Sequence, residues 1–210
     1  WWVEDFTLAE LKTLRARQPF PGRSKEHDDE FEIPTFAEML ALVASKAKVA
    51  SRPVGVYPET KHPGFFASIG HDFEAPLLAA LQGFDAGPTF IQSFEPEILK
   101  RLKGKTNAKL VQLVYETEPG AGPNIPLAEI ETYADGVGAA KVIVFAGSSY
   151  VSAAHGAGLF VHAWTFRADA APPEGLGAEL AHAFELGVDG VFTDFPDRAI
   201  NVKSAAFSAF

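Results

Sequence analysis

The chain has 210 residues, of which 47% are hydrophobic and 21% are charged, and its 27 acidic and 18 basic side chains give a formal net charge of −9. This composition supports a folded core and argues against nucleic-acid binding, because neutralising phosphate groups requires a basic surface. The sequence contains no cysteine, which excludes disulfides, thiolate metal ligands and a cysteine nucleophile. It also lacks a run of about 18 apolar residues, so we expect no membrane span.

The start of the sequence is unusual for a complete protein. The chain opens with Trp1, Trp2 and Val3, and its one methionine is Met39. Paired tryptophans are neither a translation start nor the charged start of a secretory signal. We therefore expect the sequence to be the remainder of a longer chain.

Two capping boxes predict where the first helices begin. Thr7 is followed three residues later by Glu10, and Thr35 by Glu38, so that threonine and glutamate can each cap the other's backbone N–H. Residues 18–32 between these helices are polar and are interpreted as a surface loop. The acidic run 27–32 has neither the ligand spacing nor the turn glycine of a calcium loop.

From Val54 onwards, short runs rich in Val, Ile and Phe alternate with helical patterns. Such alternation predicts βαβ units and a parallel sheet. The predicted strands are 54–61, 89–94, 109–116, a weaker one within 135–145, 160–167 and 189–195. The predicted helices lie at about 72–83, 96–103, 127–134, 149–156 and 177–186.

Six such units fit either an open doubly wound sheet or six-eighths of a (β/α)₈ TIM barrel. No glycine-rich phosphate motif follows any strand. Polar or aromatic residues stand instead at the C-terminal ends of several strands, where barrel enzymes build their active sites. We predict an incomplete α/β barrel that forms a single domain over residues 1–210, in which 1–53 supply a loop and helices before the first of the predicted strands.

The segment 54–61 carries the strongest signal for chemistry. Side chains alternate along a strand, so Tyr57, Glu59 and Lys61 share one face while Val54 and Val56 share the other. The valines suit the helix layer, which directs Glu59 and Lys61 into the mouth of the barrel. There a carboxylate can ligate a hard divalent cation and an ammonium can hold a phosphate oxygen, but the two can equally form a structural ion pair.

The segment 160–167 alternates in the same way and directs His162 and Trp164 inwards. Trp164 can form an apolar or cation–π wall for an alcohol or a quaternary ammonium group, or can serve core packing alone. We expect His162 to be a core histidine with a hydrogen-bond partner, and His155 in the preceding helix to be structural.

Seven segments of the chain, taken in order, resemble the glycerophosphodiester phosphodiesterases, particularly their periplasmic and secreted branch. Each segment is a weak signal alone, but the common order over nearly the whole chain is specific. The matching segments are 5–11, 33–36, 55–63, 92–94, 133–138, 161–167 and 190–197.

The resemblance implies a (β/α)₈ barrel that uses a divalent metal, calcium or magnesium, to cleave small glycerophosphodiesters to sn-glycerol 3-phosphate and an alcohol. By this resemblance Glu59 matches a metal ligand and Lys61 a lysine near the phosphate. Gln92, Phe94 and Trp164 match positions that line the substrate side of the barrel. The same resemblance implies a role in glycerol and lipid metabolism and a periplasmic or secreted location.

The chain departs from the family at its start. The family's first strands carry a His-Arg-Gly motif, a Glu-x-Asp metal pair and a His-Asp dipeptide; neither His27-Asp28 nor His71-Asp72 fits that last position. We expect this chain to hold barrel strands three to eight, with the catalytic histidine pair upstream and no catalytic residue of its own.

Such a chain would be inactive alone, and its open edges would pair with the missing N-terminal segment or with a second chain. Two alternatives remain open: a phospholipase D-like relative on the same barrel, and a non-catalytic ligand-binding module or pseudoenzyme.

Overall fold

The computed structural model describes residues 2–147, 149–172 and 174–207, with residues 205–207 described by their backbone alone. It divides into two compact units. One comprises the residues up to Val54 together with Gln82–Gly87, and the other comprises Gly55–Leu81 together with the residues from Pro88 onwards.

The first unit contains a short 3₁₀ turn at Val3–Asp5 and two helices, α1 (Leu8–Leu11) and α2 (Phe36–Ala50). Both predicted capping boxes are confirmed. The Glu10 backbone N–H donates to Thr7 Oγ1 at 3.3 Å, and the Thr7 backbone N–H donates to Glu10 Oε2 at 2.8 Å. Thr35 and Glu38 repeat this arrangement at the start of α2.

The second unit is built from strands that alternate with helices, as predicted. Its strands are β1 (Phe90–Ser93), β2 (Lys109–Val114), β3 (Gly136–Ala140), β4 (Phe160–Phe166) and β5 (Gly190–Thr193). Its helices are α3 (Pro63–Ser68), α4 (Glu74–Leu81), α5 (Pro96–Leu102), α6 (Leu127–Ile130), α7 (Lys141–Phe145), α8 (Ser149–Gly156), α9 (Gly175–Glu185) and α10 (Pro196–Phe207). Within the described residues, no helix has both the length and the apolar content that crossing a membrane requires.

The strands are parallel and lie in the order β1-β2-β3-β4-β5, so each neighbour in the sheet is also the neighbour in sequence. A doubly wound sheet reverses its strand order at a switch point, whereas a (β/α)₈ barrel keeps it sequential. The observed order is therefore that of a barrel segment.

The predicted strand 54–61 is present as a shorter and less regular stretch beside β1. Parallel bridges join Val56 to Thr89 and Glu59 to Gln92, and the backbone N–H of Gln92 donates to Pro58 O at 3.0 Å. Proline has no N–H, so Pro58 cannot make the ladder bond to β1 that its position calls for. We refer to residues 56–60 as the irregular strand.

The prediction of a strand within 135–145 is confirmed for the first half of that range and is wrong for the second half. β3 ends at Ala140, and the next five residues form α7. A short apolar run such as Val142–Phe145 fits a buried strand as well as a buried helical turn, and periodicity cannot distinguish the two. Helices α3 and α10 were not predicted.

Aromatic side chains fill the concave face of the sheet. Tyr57 of the irregular strand stacks on Phe90 of β1, with 4.8 Å between ring centroids, and lies 4.9 Å from Phe192 of β5. Phe160 and His162 of β4 complete this interior aromatic cluster, with 4.7 Å between their centroids. Because Tyr57 and Phe192 come from the first and last strands, the contact shows that the sheet curls towards closure.

The sheet nevertheless has two edges in the described part of the chain. The irregular strand pairs with β1 alone, and β5 pairs with β4 alone. A curled parallel sheet with two edges fits an incomplete barrel. The strand numbers that the family resemblance implies stay a prediction.

Candidate active site

The five predicted site residues lie on the concave face of the sheet, beyond the interior aromatic cluster. Two-residue steps along a strand keep side chains on one face. The irregular strand and its extension therefore place Glu59 and Lys61 above Tyr57, β1 places Gln92 and Phe94 above Phe90, and β4 places Trp164 above His162. All five residues thus lie towards the C-terminal ends of the strands.

Glu59 and Lys61 form an ion pair. Lys61 Nζ lies 2.7 Å from Glu59 Oε1, and the lysine side chain is 69% exposed while the glutamate is 20% exposed. Exposed pairs of this kind contribute about 0–1 kcal/mol to stability. The lysine can therefore exchange its partner for another anion at small cost.

Gln92 occupies the position beside this pair. The parallel bridge joins Glu59 to Gln92, and the Gln92 residue is 7% exposed. Its Oε1 atom is buried and has no hydrogen-bond partner among the described residues. A buried acceptor without a partner costs about 1–3 kcal/mol, which marks this oxygen as a position for a ligand.

Phe94 and Trp164 stand at the other side of the mouth, where a third ring joins them. The ring centroids of Phe94 and Trp164 are 5.7 Å apart, and the two ring planes meet at 88°. Tyr115 lies 5.8 Å from Phe94 by the same measure, with an angle of 70° between the ring planes. Trp164 Nε1 donates to the carbonyl oxygen of Gly138 at 2.8 Å, which fixes the indole. We call Phe94, Tyr115 and Trp164 the aromatic wall. Tyr115 was missed, although its position just after β2 could have identified it.

A set of hydrogen bonds holds the segment that carries Lys61. Ser93 Oγ donates to Thr60 O at 3.1 Å and accepts from Glu95 N at 3.1 Å. Glu95 Oε2 in turn accepts from Gly64 N at 2.9 Å. Ser93 and Glu95 were not predicted, because their roles depend on contacts with residues about thirty positions earlier in the chain.

His162 has the hydrogen-bond partner expected of a core histidine. Its Nδ1 lies 3.0 Å from the hydroxyl of Tyr57. Burial lowers the pKa of His162 and raises the pKa of Tyr57, so both side chains are neutral at pH 7. His155 is structural, as predicted, and its Nε2 lies 3.0 Å from Asp189 Oδ2.

The two His-Asp dipeptides belong to surface networks. His27 Nδ1 lies 2.9 Å from Glu30 Oε2, within the predicted polar loop. Asp72 pairs with Arg101 near the start of α4, and this contact lowers the pKa of its carboxyl group. Each of these contacts lies within a single compact unit.

The mouth offers oxygen ligands for a hard cation, but few of them. Calcium takes six to eight oxygen ligands and magnesium six, whereas Glu59 supplies one carboxylate group. The described residues contain no group of three or more His, Asp or Glu side chains arranged to hold a metal. Glu59 therefore fits one side of a cation site.

The chain matches known proteins over nearly its whole length. The model of the glycerophosphoryl diester phosphodiesterase family matches residues 2–198. The chain is 27% identical to a glycerophosphodiester phosphodiesterase of Haemophilus influenzae, over 95% of this chain and 69% of the relative. It is 30% identical to one from Arabidopsis thaliana, over 97% of this chain and 64% of the relative.

A solved structure shares the fold. The crystal structure of a glycerophosphodiester phosphodiesterase from Parabacteroides distasonis matches 97% of this chain and 71% of its own, with a TM-score of 0.64 and 14% identity. The chain thus spans about two thirds of the length of its relatives. The match of the family model to residues 2–198 shows that the chain belongs to the glycerophosphoryl diester phosphodiesterase family.

Proposed function

We propose that this chain forms the substrate-binding part of a metal-dependent glycerophosphodiester phosphodiesterase, which hydrolyses glycerophosphodiesters to sn-glycerol 3-phosphate and an alcohol. Family membership supports this reaction class. The observation that carries the proposal is the Glu59–Lys61 pair at the C-terminal ends of a curled parallel sheet, with 2.7 Å between carboxylate and ammonium. That position is where barrel enzymes act on their substrates.

The charged residues divide the work of binding a phosphodiester. Lys61 holds a phosphate oxygen with its exposed ammonium group, and Glu59 is a ligand of a divalent cation, calcium or magnesium. When bound, such a cation neutralises charge on the phosphate and stabilises the transition state. Gln92 and two rings of the aromatic wall, Phe94 and Trp164, contact the parts of the substrate on either side of the phosphate.

Hydrolysis also requires a proton acceptor and a proton donor. Among the described histidines, His162 lies on the same face of the sheet as the site. It is neutral, however, and is packed in the interior aromatic cluster rather than at the mouth. We infer that two further strands, from an upstream segment or from a second chain, pair with the irregular strand and β5 and bring the histidine pair. The 210 residues alone are therefore inactive. A periplasmic or secreted location stays a prediction from the resemblance.

The test is hydrolysis of glycerophosphocholine, with sn-glycerol 3-phosphate measured by a coupled dehydrogenase. We expect the full-length protein to release sn-glycerol 3-phosphate in the presence of calcium or magnesium. This release should stop when a chelator is added. The 210-residue chain should release none. Release of phosphatidic-acid-type products from choline lipids alone would favour the phospholipase D-like alternative, and binding without turnover would favour a non-catalytic module.

A further inference from the structure

The sheet contains two buried glutamines with opposite hydrogen-bonding states. Gln112 of β2 is fully buried, and its Nε2 donates to the carbonyl oxygens of Ser93 and Phe94 at 3.1 and 3.0 Å. Its Oε1 accepts from the hydroxyl of Tyr133 at 2.9 Å. Gln112 thus has protein partners at both ends of its carboxamide, as buried polar groups do in folded proteins.

Gln92 is nearly as buried as Gln112, yet its Oε1 has no partner in the described part of the chain. It lies two positions after Phe90 on the concave face, and its backbone is in register with Glu59. The surrounding aromatic side chains supply no donor to this oxygen. Replacing an orphaned amide with an apolar side chain would remove a penalty, so retaining glutamine here is explained if a ligand pairs with it.

The chemistry of the proposed substrate identifies the group that pairs with this oxygen. A carboxamide oxygen is an acceptor, and the phosphate of a diester has no proton to donate at neutral pH. The donors that every glycerophosphodiester carries, whatever its alcohol head group, are the two free hydroxyls of its glycerol moiety. Resting on the function proposed above, we propose that Gln92 binds one glycerol hydroxyl and so distinguishes glycerol diesters from diesters that lack that hydroxyl.

The test uses the full-length protein with its metal and three choline diesters. Glycerophosphocholine carries hydroxyls on its glycerol moiety alone, 3-hydroxypropyl phosphocholine lacks the central hydroxyl, and 2-hydroxypropyl phosphocholine lacks the terminal one. We expect the wild-type protein to reject one of the two deoxy diesters by roughly 5- to 150-fold in kcat/KM, because it leaves the buried oxygen unpaired. The Gln92→Met variant should accept all three within about threefold.

A binding measurement makes the result independent of turnover. In calorimetry, the wild-type protein should bind glycerol 3-phosphate more tightly than the deoxy phosphate that lacks the recognised hydroxyl. The Gln92→Met variant should bind the two phosphates with similar affinity. The ligand-free Gln92→Met variant should unfold at the same or a higher temperature than the wild-type protein, because it buries no orphaned oxygen. Gln82→Met, at an exposed position, is the matched control and should leave all three readouts unchanged.

The outcomes separate this proposal from the one beneath it. Gln92→Met with a lowered melting temperature and intact discrimination would show that a protein group pairs with the amide, and would overturn the proposal. Loss of affinity for inorganic phosphate with intact discrimination would show that the amide nitrogen binds phosphate instead, and would overturn it as well. A wild-type protein that hydrolyses none of the diesters would refute the proposed function itself.

Discussion

Replacing Lys61 with methionine separates the two roles that an ion pair at the mouth of the sheet allows. Methionine keeps most of the apolar stem and removes the ammonium. With Lys61 69% exposed and Glu59 20% exposed, loss of the pair should lower the free energy of unfolding by no more than about 1 kcal/mol. For a domain of about 150–250 residues that corresponds to a fall of about 2–4 °C in melting temperature, and the longer full-length protein should show no larger fall.

The expected loss of binding is larger. A hydrogen bond from the ammonium to a phosphate oxygen contributes about 1.5–3 kcal/mol, so affinity for glycerol 3-phosphate should fall by roughly 10- to 150-fold. The assay is titration calorimetry on the full-length protein with its metal, together with thermal unfolding of the same samples without ligand.

Lys105→Met provides a matched control. Lys105 pairs with Glu74, and these side chains are 52% and 17% exposed, close to the values for Lys61 and Glu59. Lys105 precedes β2 and so lies at the N-terminal end of the strands. Its loss should change the melting temperature by a similar amount and leave ligand affinity unchanged. If Lys61→Met instead lowers the melting temperature by much more than Lys105→Met and binds ligand normally, Lys61 is a structural partner and the reasoning is wrong.

Three further predictions follow from the site and the core. Glu59→Gln should sharply weaken binding of calcium or magnesium, measured by titration, while the circular dichroism spectrum stays unchanged; an unaltered metal titration would return Glu59 to a structural role. Gly136→Ala should destabilise the protein by about 1–3 kcal/mol, because the added Cβ would lie 2.4 Å from the ring of Phe160. Gly177→Ala, whose Cβ meets nothing within 4 Å, should have no such effect in the same denaturant titration. Burial holds the pKa of His162 below its usual 6.5, so the unfolded state binds more protons and the free energy of unfolding should fall as pH drops below about 6.5. For the His162→Gln variant, the free energy of unfolding obtained from denaturant titrations should depend less steeply on pH in that window. A pH dependence as steep as that of the wild-type protein would contradict the assignment.

The elements that could be predicted from the sequence are those that local chemistry determines. The capping boxes at Thr7 and Thr35 each involve a side chain and a backbone group three residues apart, so the signal lies within one turn of helix. The alternation of apolar runs and helical patterns likewise predicts a parallel sheet without any knowledge of tertiary contacts.

The errors arose where tertiary structure decides the outcome. Lys141–Phe145 could satisfy its apolar side chains in a strand or in α7, and packing selects the helix. On β4, strict alternation predicts that Thr165 faces the helices. The register shifts between Ala163 and Phe166, and it is Phe166 that contacts Phe145 of α7. A residue added to one strand in this way leaves no clear trace in the sequence.

The positions of the candidate site residues could be predicted in part, because local periodicity determines which face of a strand each side chain takes. Two-residue periodicity suffices to bring Glu59, Lys61, Gln92, Phe94 and Trp164 to one face of the sheet, and the structure places them there. Periodicity does not reveal that Tyr115 joins the aromatic wall, or that Ser93 and Glu95 hold the neighbouring segment. It also cannot reveal that the Gln92 oxygen lacks a protein partner, which is a property of all its neighbours together.

The sequential strand order has a consequence for the path by which the chain folds. Each strand pairs with the next one along the chain, as Ile91 does with Leu110 and Val137 with Val161, so every ladder closes a short loop at a modest entropic cost. Local pairings of this kind form early, and one βα unit can be added at a time as the ribosome delivers it. The Tyr57–His162 hydrogen bond spans 105 positions and must wait until β4 is made. We therefore expect the sheet to curl late in folding, so that the binding mouth takes its shape after the strands that carry it are already paired.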